Sequence, residues 1–340
     1  MSRKSREIRK ILVIKLGALG DFVQALAAMQ HIREAHPEAH ITLLTTPPFE
    51  ALARASPYFN AVEPDGRPGG IGETLSLIRR LRGAGYDRVY DLQTSSRSSF
   101  YFQMLRPFPP QWSGVAFGCS LPQRNRDRGK MHTLERQAQQ LKDAGIWPDA
   151  PLTSGSAPPA DLSWILKKTG AARPMNSGAA PRPYALLVPG ASAHRPEKRW
   201  PVDRFAELGQ YLRERGLDIL IVGGPQESAL AMTIQRKVLA RDLTGRTDFA
   251  QIAALGARAA LAVGNDTGPI HLIAAAGAPT LVLFSAASDP TLCGPRGHVA
   301  VLQAENLDEL PVSDAIAAVN RLVPSMPNDA LRRLPGLDRR

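Results

Sequence analysis

Short apolar runs alternate along this chain with segments whose apolar residues recur at helical spacing. The first pair is the run 11–14 (ILVI) followed by residues 21–35, where Phe22, Leu26 and Met29 fall on one helical face. Strands that alternate with helices form a parallel sheet covered by helices, because each helix carries the chain back to the start of the next strand. The alternation therefore predicts an α/β fold assembled from βαβ units.

The same alternation continues through both halves of the chain. In the first half it predicts strands at 41–44 and 88–92, and helices at 72–82 and 132–144. In the second half it predicts strands at 184–188, 218–222, 260–263 and 280–284, and helices at 201–215, 226–240, 248–259 and 269–276. Two halves of this kind indicate a pair of Rossmann-like domains with doubly wound parallel sheets.

A proline-rich segment separates the two halves. Seven prolines fall between residues 148 and 183 together with Gly, Ser and Ala, and a length of 340 residues suits two domains. We expect an N-terminal domain at 1–150, a linker at 151–183 with a short helix near 162–168, and a C-terminal domain at 184–325. The domains are expected to face each other across a cleft, with ligands bound beyond the carboxyl ends of the strands.

The formal net charge of +11 is concentrated at the two ends of the chain. Residues 1–10 carry a net charge of +4 and residues 331–340 carry +3, so the 320 residues between them carry only +4. We expect these ends, including a basic tail at 326–340, to be either solvated or bound to anionic lipid. Nucleic acid is disfavoured as a partner, because no helix or strand interleaves basic residues with exposed aromatics.

Cysteine content and hydropathy bear on location. Cys119 and Cys293 are too few for a disulfide scaffold or a zinc-ligand pattern, which suits a reducing compartment. No apolar run approaches the ~20 residues of a membrane span, and the run 11–14 is too short for a signal peptide. We therefore expect a cytoplasmic protein, peripheral at most on the inner face of the inner membrane.

Four loops that follow predicted strands contain groups able to do chemistry. The first, residues 15–21 (KLGALGD), turns tightly into a helix through Gly17 and Gly20. Asp21 at the start of that helix is open to two interpretations, an N-cap that accepts a backbone N–H or a general base. The loop is neither a GxGxxG dinucleotide motif nor a Walker loop.

The second and third loops are also open to two interpretations each. Residues 189–201 end on Lys198 and Arg199 just before a helix, which suits a diphosphate cradle or a solvated surface loop. In residues 223–227 (GGPQE), two glycines allow a close backbone approach. Glu227 then either holds a ribose diol or is simply an acid in the first turn of a helix.

The fourth loop, residues 264–271 (GNDTGPIH), is the most specific signal in the chain. The free N–H groups at a helix start and the Thr267 hydroxyl form a site of the kind that binds phosphate. Asp266 beside such a site suits hydrogen bonds from sugar hydroxyls. His271, one turn into the helix, is either a ligand group or a packed helix residue.

Together these motifs resemble those of glycosyltransferase family 9, the heptosyltransferases of lipopolysaccharide core assembly. The resemblance extends over roughly residues 10–325. It rests on residues 15–21, 91–93 (DLQ), 132–136 (HTLER), 198–201 (KRWP), 223–227 and 264–272.

The resemblance implies a GT-B fold, with the acceptor on the N-terminal domain and the nucleotide sugar on the C-terminal one. It implies inverting, metal-independent transfer of a heptose, usually from an ADP-sugar, to a lipid-linked saccharide, with no cofactor. No DxD-like metal pair lies near the donor loop, which agrees with metal independence.

The resemblance also implies roles for individual residues. Asp21 becomes the catalytic base, and Lys198 stabilises the departing diphosphate together with the helix start after Asp266. Glu227 holds the ribose, and Asp266 holds sugar hydroxyls. The donor-binding residues implied are Ser192, Glu227, Asp266, Thr267, Gly268 and His271. The acceptor-side residues implied are Lys15, Gly20, Gln93, Arg97 and Arg136.

One departure from the family pattern leaves the nucleotide open. The family commonly has Gly-Pro-Thr after the strand at 280–284, whereas this chain has SAASDP at 285–290, so the base is adenine or another. Two other functions stay open: a non-catalytic nucleotide-binding paralogue, and a nucleotide-sugar epimerase or hydrolase. The latter needs a second acid or base, for which Glu135 and His132 are the candidates. The missing GxGxxG disfavours a dehydrogenase.

Overall fold

The computed structural model describes residues 7–149, 152–168, 182–192 and 194–325. The chain divides into two compact units, Met1–Ala160 and Asp161–Arg340. The expected basic tail at 326–340, residues 1–6 and residues 169–181 of the expected linker lie outside the described residues, and those expectations stay predictions. In the described ranges, no helix combines the length and the apolar character needed to cross a membrane.

The first unit contains one six-stranded sheet, with helices between and after its strands. Its strands are β1 (Lys10–Ile14), β2 (His40–Leu44), β3 (Ala61–Glu63), β4 (Arg88–Asp91), β5 (Gln111–Gly114) and β6 (Leu121–Pro122). Its α-helices are α1 (Leu19–Ala35), α2 (Glu50–Ala55), α3 (Ile71–Gly83), α4 (Ser96–Met104) and α5 (Thr133–Asp143).

The second unit repeats this plan with a second six-stranded sheet. Its helices are α6 (Ser163–Lys168), α7 (Val202–Glu214), α8 (Ser228–Gln235), α9 (Phe249–Gly256), α10 (Gly268–Ala275), α11 (Pro290–Cys293) and α12 (Val312–Leu322). Its strands are β7 (Tyr184–Val188), β8 (Asp218–Ile221), β9 (Ala240–Asp242), β10 (Leu261–Asn265), β11 (Thr280–Phe284) and β12 (Val299–Gln303).

Both sheets are parallel and doubly wound. The strand order is β3-β2-β1-β4-β5-β6 in the first sheet and β12-β11-β10-β7-β8-β9 in the second. The order reverses direction between β1 and β4, where Ile14 pairs with Asp91, and between β10 and β7, where Gly264 pairs with Val188. The predicted pair of Rossmann-like α/β sheets is therefore confirmed.

Helices cover the faces of each sheet and bury its central strands. The side chains of Ile11–Ile14 in β1 and of Ala185–Val188 in β7 are at most 1% exposed. Such continuous apolar strands are typical of parallel sheets covered on both faces. In the first unit, α3 and α4 pack on one face, where Leu81 and Phe102 join a single apolar cluster. The strand ends are therefore rigid bases for the loops that follow them.

Candidate active site

The predicted site residues follow the strands that flank the two reversal points. Lys15 comes directly after β1, Gln93 soon after β4, Ser192 after β7 and Asp266 after β10. In doubly wound sheets, the loops beyond these carboxyl ends diverge and leave a crevice for ligands. The topology therefore places the candidate residues at the two points where ligands are expected.

The loop after β1 makes a sharp turn that only glycine accommodates. Gly17 has a φ of +119°, and a Cβ there would approach Phe49 to 2.9 Å. Helix α1 then begins at Leu19 with Ala18 as its N-cap, and Asp21 lies in its first turn. The interpretation of Asp21 as an N-cap is therefore wrong, because the helix starts two residues earlier. Its carboxylate is exposed, and no hydrogen bond to it is found in the described part of the chain.

Asp91 at the end of β4 organises the neighbouring loop. Its Oδ1 accepts the backbone N–H groups of Gln93 and Thr94 at 3.1 and 2.9 Å. The Gln93 side chain in turn accepts the Leu16 N–H at 2.8 Å, which ties the ends of β4 and β1 together. Asp91 is fully buried and its Oδ2 has no partner among the described residues. Burial raises the pKa of Asp91 to about 6, although the two backbone bonds oppose the shift.

A cavity of about 70 Å³ opens beside Asp21 within the first unit. Lys15, Arg128 and Arg136 contribute three cations to its lining, against the single carboxylate of Asp21. Burial lowers the pKa of Lys15 to about 8, and Arg136 adds to the shift while Asp21 opposes it. Burial and the Arg136 charge likewise lower the pKa of Arg128. Cations that repel one another in this way favour an anionic ligand.

The remaining acceptor-side residues differ in their placement. Gln93 lines the same cavity, and Gly20 is a partly buried residue of α1. Arg97 lies on the exposed side of α4 and is not part of the cavity lining. Arg128 was missed by sequence reasoning, because it lies in a short 3-10 turn outside every motif. Its guanidinium donates to the Thr94 hydroxyl at 3.1 Å.

In the second unit, Asn265 joins the loops that carry the other candidate residues. Its amide donates to the Pro189 carbonyl at 2.9 Å, and its Oδ1 accepts the Trp200 N–H at 3.0 Å. These bonds hold the loop after β7 and the start of α7 against the end of β10. Lys198, two residues before Trp200, is thereby brought to the Asp266 loop.

Asp266 is the centre of a compact polar cluster. Its Oδ2 accepts the Lys198 ammonium and the Ser288 hydroxyl, both at 2.6 Å, and its Oδ1 lies 3.0 Å from His271 Nε2. Burial alone would raise the pKa of Asp266, but the bonds to His271, Lys198 and Ser288 outweigh it and hold the pKa well below its usual range. His271 is thus turned to Asp266, and Ser288 is a participant that sequence reasoning missed.

The start of α10 is open to an anion. Thr267 is the N-cap, yet its side chain makes no capping bond, so the first amides of the helix have no side-chain acceptor. Pro269 has no N–H, which leaves Gly268 and Ile270 as the donors of the first turn. The positive end of the helix and the neighbouring Lys198 together favour a negatively charged group.

Glu227 contributes a buried carboxylate at the loop after β8. It packs so closely that a Cβ on Gly190 would lie 2.5 Å from its Cγ, and its Oε2 has no hydrogen-bond partner in the described ranges. Burial raises the pKa of Glu227, although the Gly224 N–H and Arg199 oppose the shift. Ser192 is exposed in the loop that contains Gly190.

Glu135 and His132, the candidates for a second acid or base, already accept hydrogen bonds from backbone N–H groups. Glu135 is 2% exposed, and its Oε1 accepts the N–H groups of Gly155 and Ala157. His132 is the N-cap of α5 and its Nδ1 accepts the Leu134 N–H. Both side chains are buried, with exposed fractions of 7% for His132 and 2% for Glu135. The described residues contain no group of three or more His, Cys, Asp or Glu that could hold a metal ion.

Comparisons with known proteins show the family and the fold. Residues 74–313 match the family model of glycosyltransferase family 9 (heptosyltransferase). The chain is 26% identical to lipopolysaccharide heptosyltransferase 2 of Escherichia coli K12 over 316 residues, 86% of each chain. It superimposes on E. coli ADP-heptose lps heptosyltransferase II (TM-score 0.73, 23% identity, 93% and 98% covered). It also superimposes on E. coli heptosyltransferase WaaC with ADP (TM-score 0.72, 20% identity, 92% and 99% covered). The chain therefore belongs to glycosyltransferase family 9, the heptosyltransferase family, and is a glycosyltransferase.

Proposed function

We propose that the chain transfers a heptose from a nucleoside-diphosphate sugar, ADP-heptose, to a lipid-linked acceptor of the lipopolysaccharide core type. The transfer inverts the anomeric configuration and needs no obligatory metal. Because the acceptor is lipid-linked, the reaction takes place at a membrane surface, which we assign to the cytoplasmic side of the inner membrane.

The donor-binding assignment is supported by polar groups of the second unit that lack a hydrogen-bond partner among the described residues. A buried carboxylate oxygen without a partner, Glu227 Oε2, is costly unless a ligand donates to it, and a ribose diol has two such donors. The diphosphate is assigned to Lys198 and the open amides of α10. Asp266 accepts sugar hydroxyls, and Ser192, Thr267 and Gly268 complete the binding set.

The acceptor assignment is supported by charge. Three cations around a small cavity suit the phosphorylated saccharides of a lipopolysaccharide core better than a neutral sugar. Lys15, Gln93 and Arg136 line the cavity next to Asp21 and bind the acceptor there. Arg97 and Gly20 belong to the same acceptor side of the first unit.

The chemical step follows from these assignments. Asp21 accepts the proton of the acceptor hydroxyl while the hydroxyl oxygen forms a bond to the anomeric carbon of the donor. The bond between that carbon and the phosphate oxygen breaks on the opposite face, and its electron pair leaves with the nucleoside diphosphate. Lys198 and the α10 start stabilise the negative charge that develops there. His271 and Ser288 hold Asp266 and, through it, Lys198.

A single observation carries the proposal: the two aspartates have opposite surroundings. Asp21 is exposed and lacks a hydrogen-bond partner in the described residues, which leaves its carboxylate oxygens open to a substrate hydroxyl. Asp266 is held as an anion by three side chains, which suits it to bind and orient rather than to exchange protons.

A calorimetric panel of ADP, UDP, GDP and their sugars tests the donor. One neighbour was solved with ADP and another is described as acting on ADP-heptose, which supports adenine. We expect ADP to raise the unfolding temperature most, and ADP-heptose to do so at lower concentration. Preference for UDP or GDP would overturn the donor assignment, and nucleotide binding without transfer to any core acceptor would favour a non-catalytic paralogue.

A further inference from the structure

Exposed apolar side chains are concentrated on one part of the first unit. Among the described residues, five of the eight large apolar side chains that are exposed lie between residues 71 and 117. They are Ile71 (81% exposed), Leu75 (48%), Phe100 (46%), Phe108 (91%) and Phe117 (86%). Single exposed apolar residues need no explanation, but a cluster rich in phenylalanine marks a surface that is covered in use.

Helices α3 and α4 place these side chains on one surface. The inner sides of both helices contribute to one apolar cluster against the sheet, and Arg82 of α3 donates to the Met104 carbonyl of α4 at 2.6 Å. Ile71 and Leu75 therefore lie on the outer side of α3, one helical turn apart, and Phe100 lies on the outer side of α4. We call this surface, with the loops that hold Phe108 and Phe117, the α3–α4 face.

The two most exposed phenylalanines are at the end of this face where α4 terminates. The Gln103 amide of α4 donates to the Phe117 carbonyl at 3.0 Å, and Arg106 lies against Gly118. Phe108 borders a cavity of about 430 Å³ whose lining also includes Leu81. The two rings thus project from loops that are anchored to the helical layer.

The α3–α4 face is also basic. Arg79, Arg82, Arg97 and Arg106 are exposed, and none of them forms an ion pair within the described ranges. Glu73 is the single exposed acid between residues 71 and 117, because Asp91 is buried and Asp87 is only partly exposed. An excess of positive charge around exposed aromatic rings is complementary to an anionic, partly apolar partner.

We propose that the α3–α4 face docks on the surface of an anionic lipid bilayer. Phenylalanine and aliphatic side chains enter the boundary between headgroups and acyl chains, while arginines pair with lipid phosphates. This contact is distinct from the chemical step, since it involves neither Asp21 nor the donor loops, and it shares one residue, Arg97, with the proposed acceptor side. It gives the lipid-linked acceptor and the first unit a common surface, whichever saccharide is transferred.

Vesicle flotation of the full chain tests the docking face. The vesicles contain phosphatidylcholine alone or phosphatidylcholine with phosphatidylglycerol. We expect binding to require the anionic lipid, and the triple variant Phe100→Ser, Phe108→Ser, Phe117→Ser to bind at least about tenfold more weakly. Arg79→Glu should weaken binding several-fold, with an effect that fades as salt concentration rises.

The second unit offers a matched control. Met232 and Leu239 are exposed to 52% and 75%, so Met232→Ser, Leu239→Ser removes exposed apolar surface from the second unit instead. That variant should bind vesicles like the parent chain. Because all the altered side chains are exposed, the unfolding temperature and ADP binding of both variants should also match the parent chain. These readouts separate a failed docking face from a failed donor assignment.

Three results would overturn the proposal. The first is vesicle binding by the triple variant that equals that of the parent chain. The second is binding that is lost on deleting residues 1–8 and 331–340 but not in the triple variant, which would assign the lipid contact to the basic ends. The third is a lipid-free dimer that the triple variant dissociates without any change in vesicle binding, which would make the face a contact between two copies.

Discussion

Asp21 and Asp266 show how differently the two units of this glycosyltransferase treat a carboxylate. Both follow a central strand at the reversal point of a doubly wound sheet. Asp21 is exposed in the first turn of α1 and has no hydrogen-bond partner within the described ranges. Asp266 is 8% exposed and is bonded to Lys198, His271 and Ser288. Beyond the carboxyl end of a central strand, the first unit thus holds a carboxylate without a described partner and the second unit holds a fixed one.

The difference teaches what each position is suited to do. A carboxylate whose pKa is held far below its usual range has little affinity for a proton, so Asp266 is a poor base however close a substrate comes. A carboxylate without hydrogen-bond partners can accept a proton from a hydroxyl without breaking any existing hydrogen bond. The sequence left Asp21 as an N-cap or a base and gave Asp266 as an acceptor of sugar hydroxyls; the surroundings of the two carboxylates support proton transfer by Asp21 and binding by Asp266 as proposals.

Asp21→Asn tests the role of the exposed carboxylate, and it should reduce turnover more than any other change considered. Because an amide cannot take up the hydroxyl proton, we expect kcat to fall by about three orders of magnitude. ADP affinity should stay within about twofold, because Asp21 belongs to the unit that does not bind nucleotide in our proposal. Steady-state turnover and ADP calorimetry check the two statements. Glu38→Gln, an exposed carboxylate of the same unit, is the control. Turnover near that of the parent chain would remove Asp21 from the base role.

Lys198→Ala tests the surroundings of Asp266 by removing one of its hydrogen-bond partners. The change removes a cation from the proposed diphosphate site and leaves Asp266 with two of its three side-chain partners. We expect kcat/KM for the donor to fall about a hundredfold. In a double-mutant cycle with Asp266→Asn, the two losses should be far from additive, because the pair is coupled.

An exposed ion pair supplies the control for Lys198. Lys237 and Asp203 are joined at 3.0 Å with side chains 50% and 59% exposed, and such pairs contribute little. Lys237→Ala should therefore leave turnover and stability nearly unchanged. Additive effects at Lys198 and Asp266, resembling those at this surface pair, would contradict the arrangement proposed for the donor site.

The strands were predictable where apolar residues run without interruption. The runs at 184–188 and 280–284 coincide with β7 and β11. By contrast, β5 (QWSG) has no apolar run, and α4 (SRSSFYFQM) is interrupted by serines, so neither was predicted. These elements form because neighbouring strands and the apolar cluster of the first unit stabilise them, which is a tertiary effect that local patterns do not record.

The candidate site was predictable where the residues belong to one motif. Asp266, Thr267 and His271 lie in a single loop and helix start, so their proximity follows from the chain itself. Ser288 and Arg128 come from segments outside the motifs. Ser288 reaches Asp266 because β11 pairs with β10, and that strand order is decided by the whole sheet. The SAASDP segment at 285–290 therefore places a hydroxyl, that of Ser288, beside Asp266.

Glu227→Gln tests the proposed donor site, because it should raise the unfolding temperature and lower the affinity for ADP. Burial raises the pKa of Glu227, so at neutral pH the ionised side chain destabilises the folded chain without ligand, and glutamine removes that cost. We expect a higher unfolding temperature without nucleotide and roughly tenfold weaker ADP binding. A loss of both stability and affinity would point to a structural role for Glu227 rather than to contact with ribose.

The smallest effect is expected from pH on the acceptor side. Lys15 is cationic below its pKa of about 8 and loses its charge above it, so the cavity beside Asp21 then retains two cations instead of three. KM for an anionic acceptor should rise several-fold between about pH 7 and 9, whereas KM for the donor should not follow this titration. In Lys15→Met, acceptor KM should be high at every pH and lose this dependence. If the dependence persists in Lys15→Met, another group controls it, and Lys15 is not the cation that distinguishes the acceptor side.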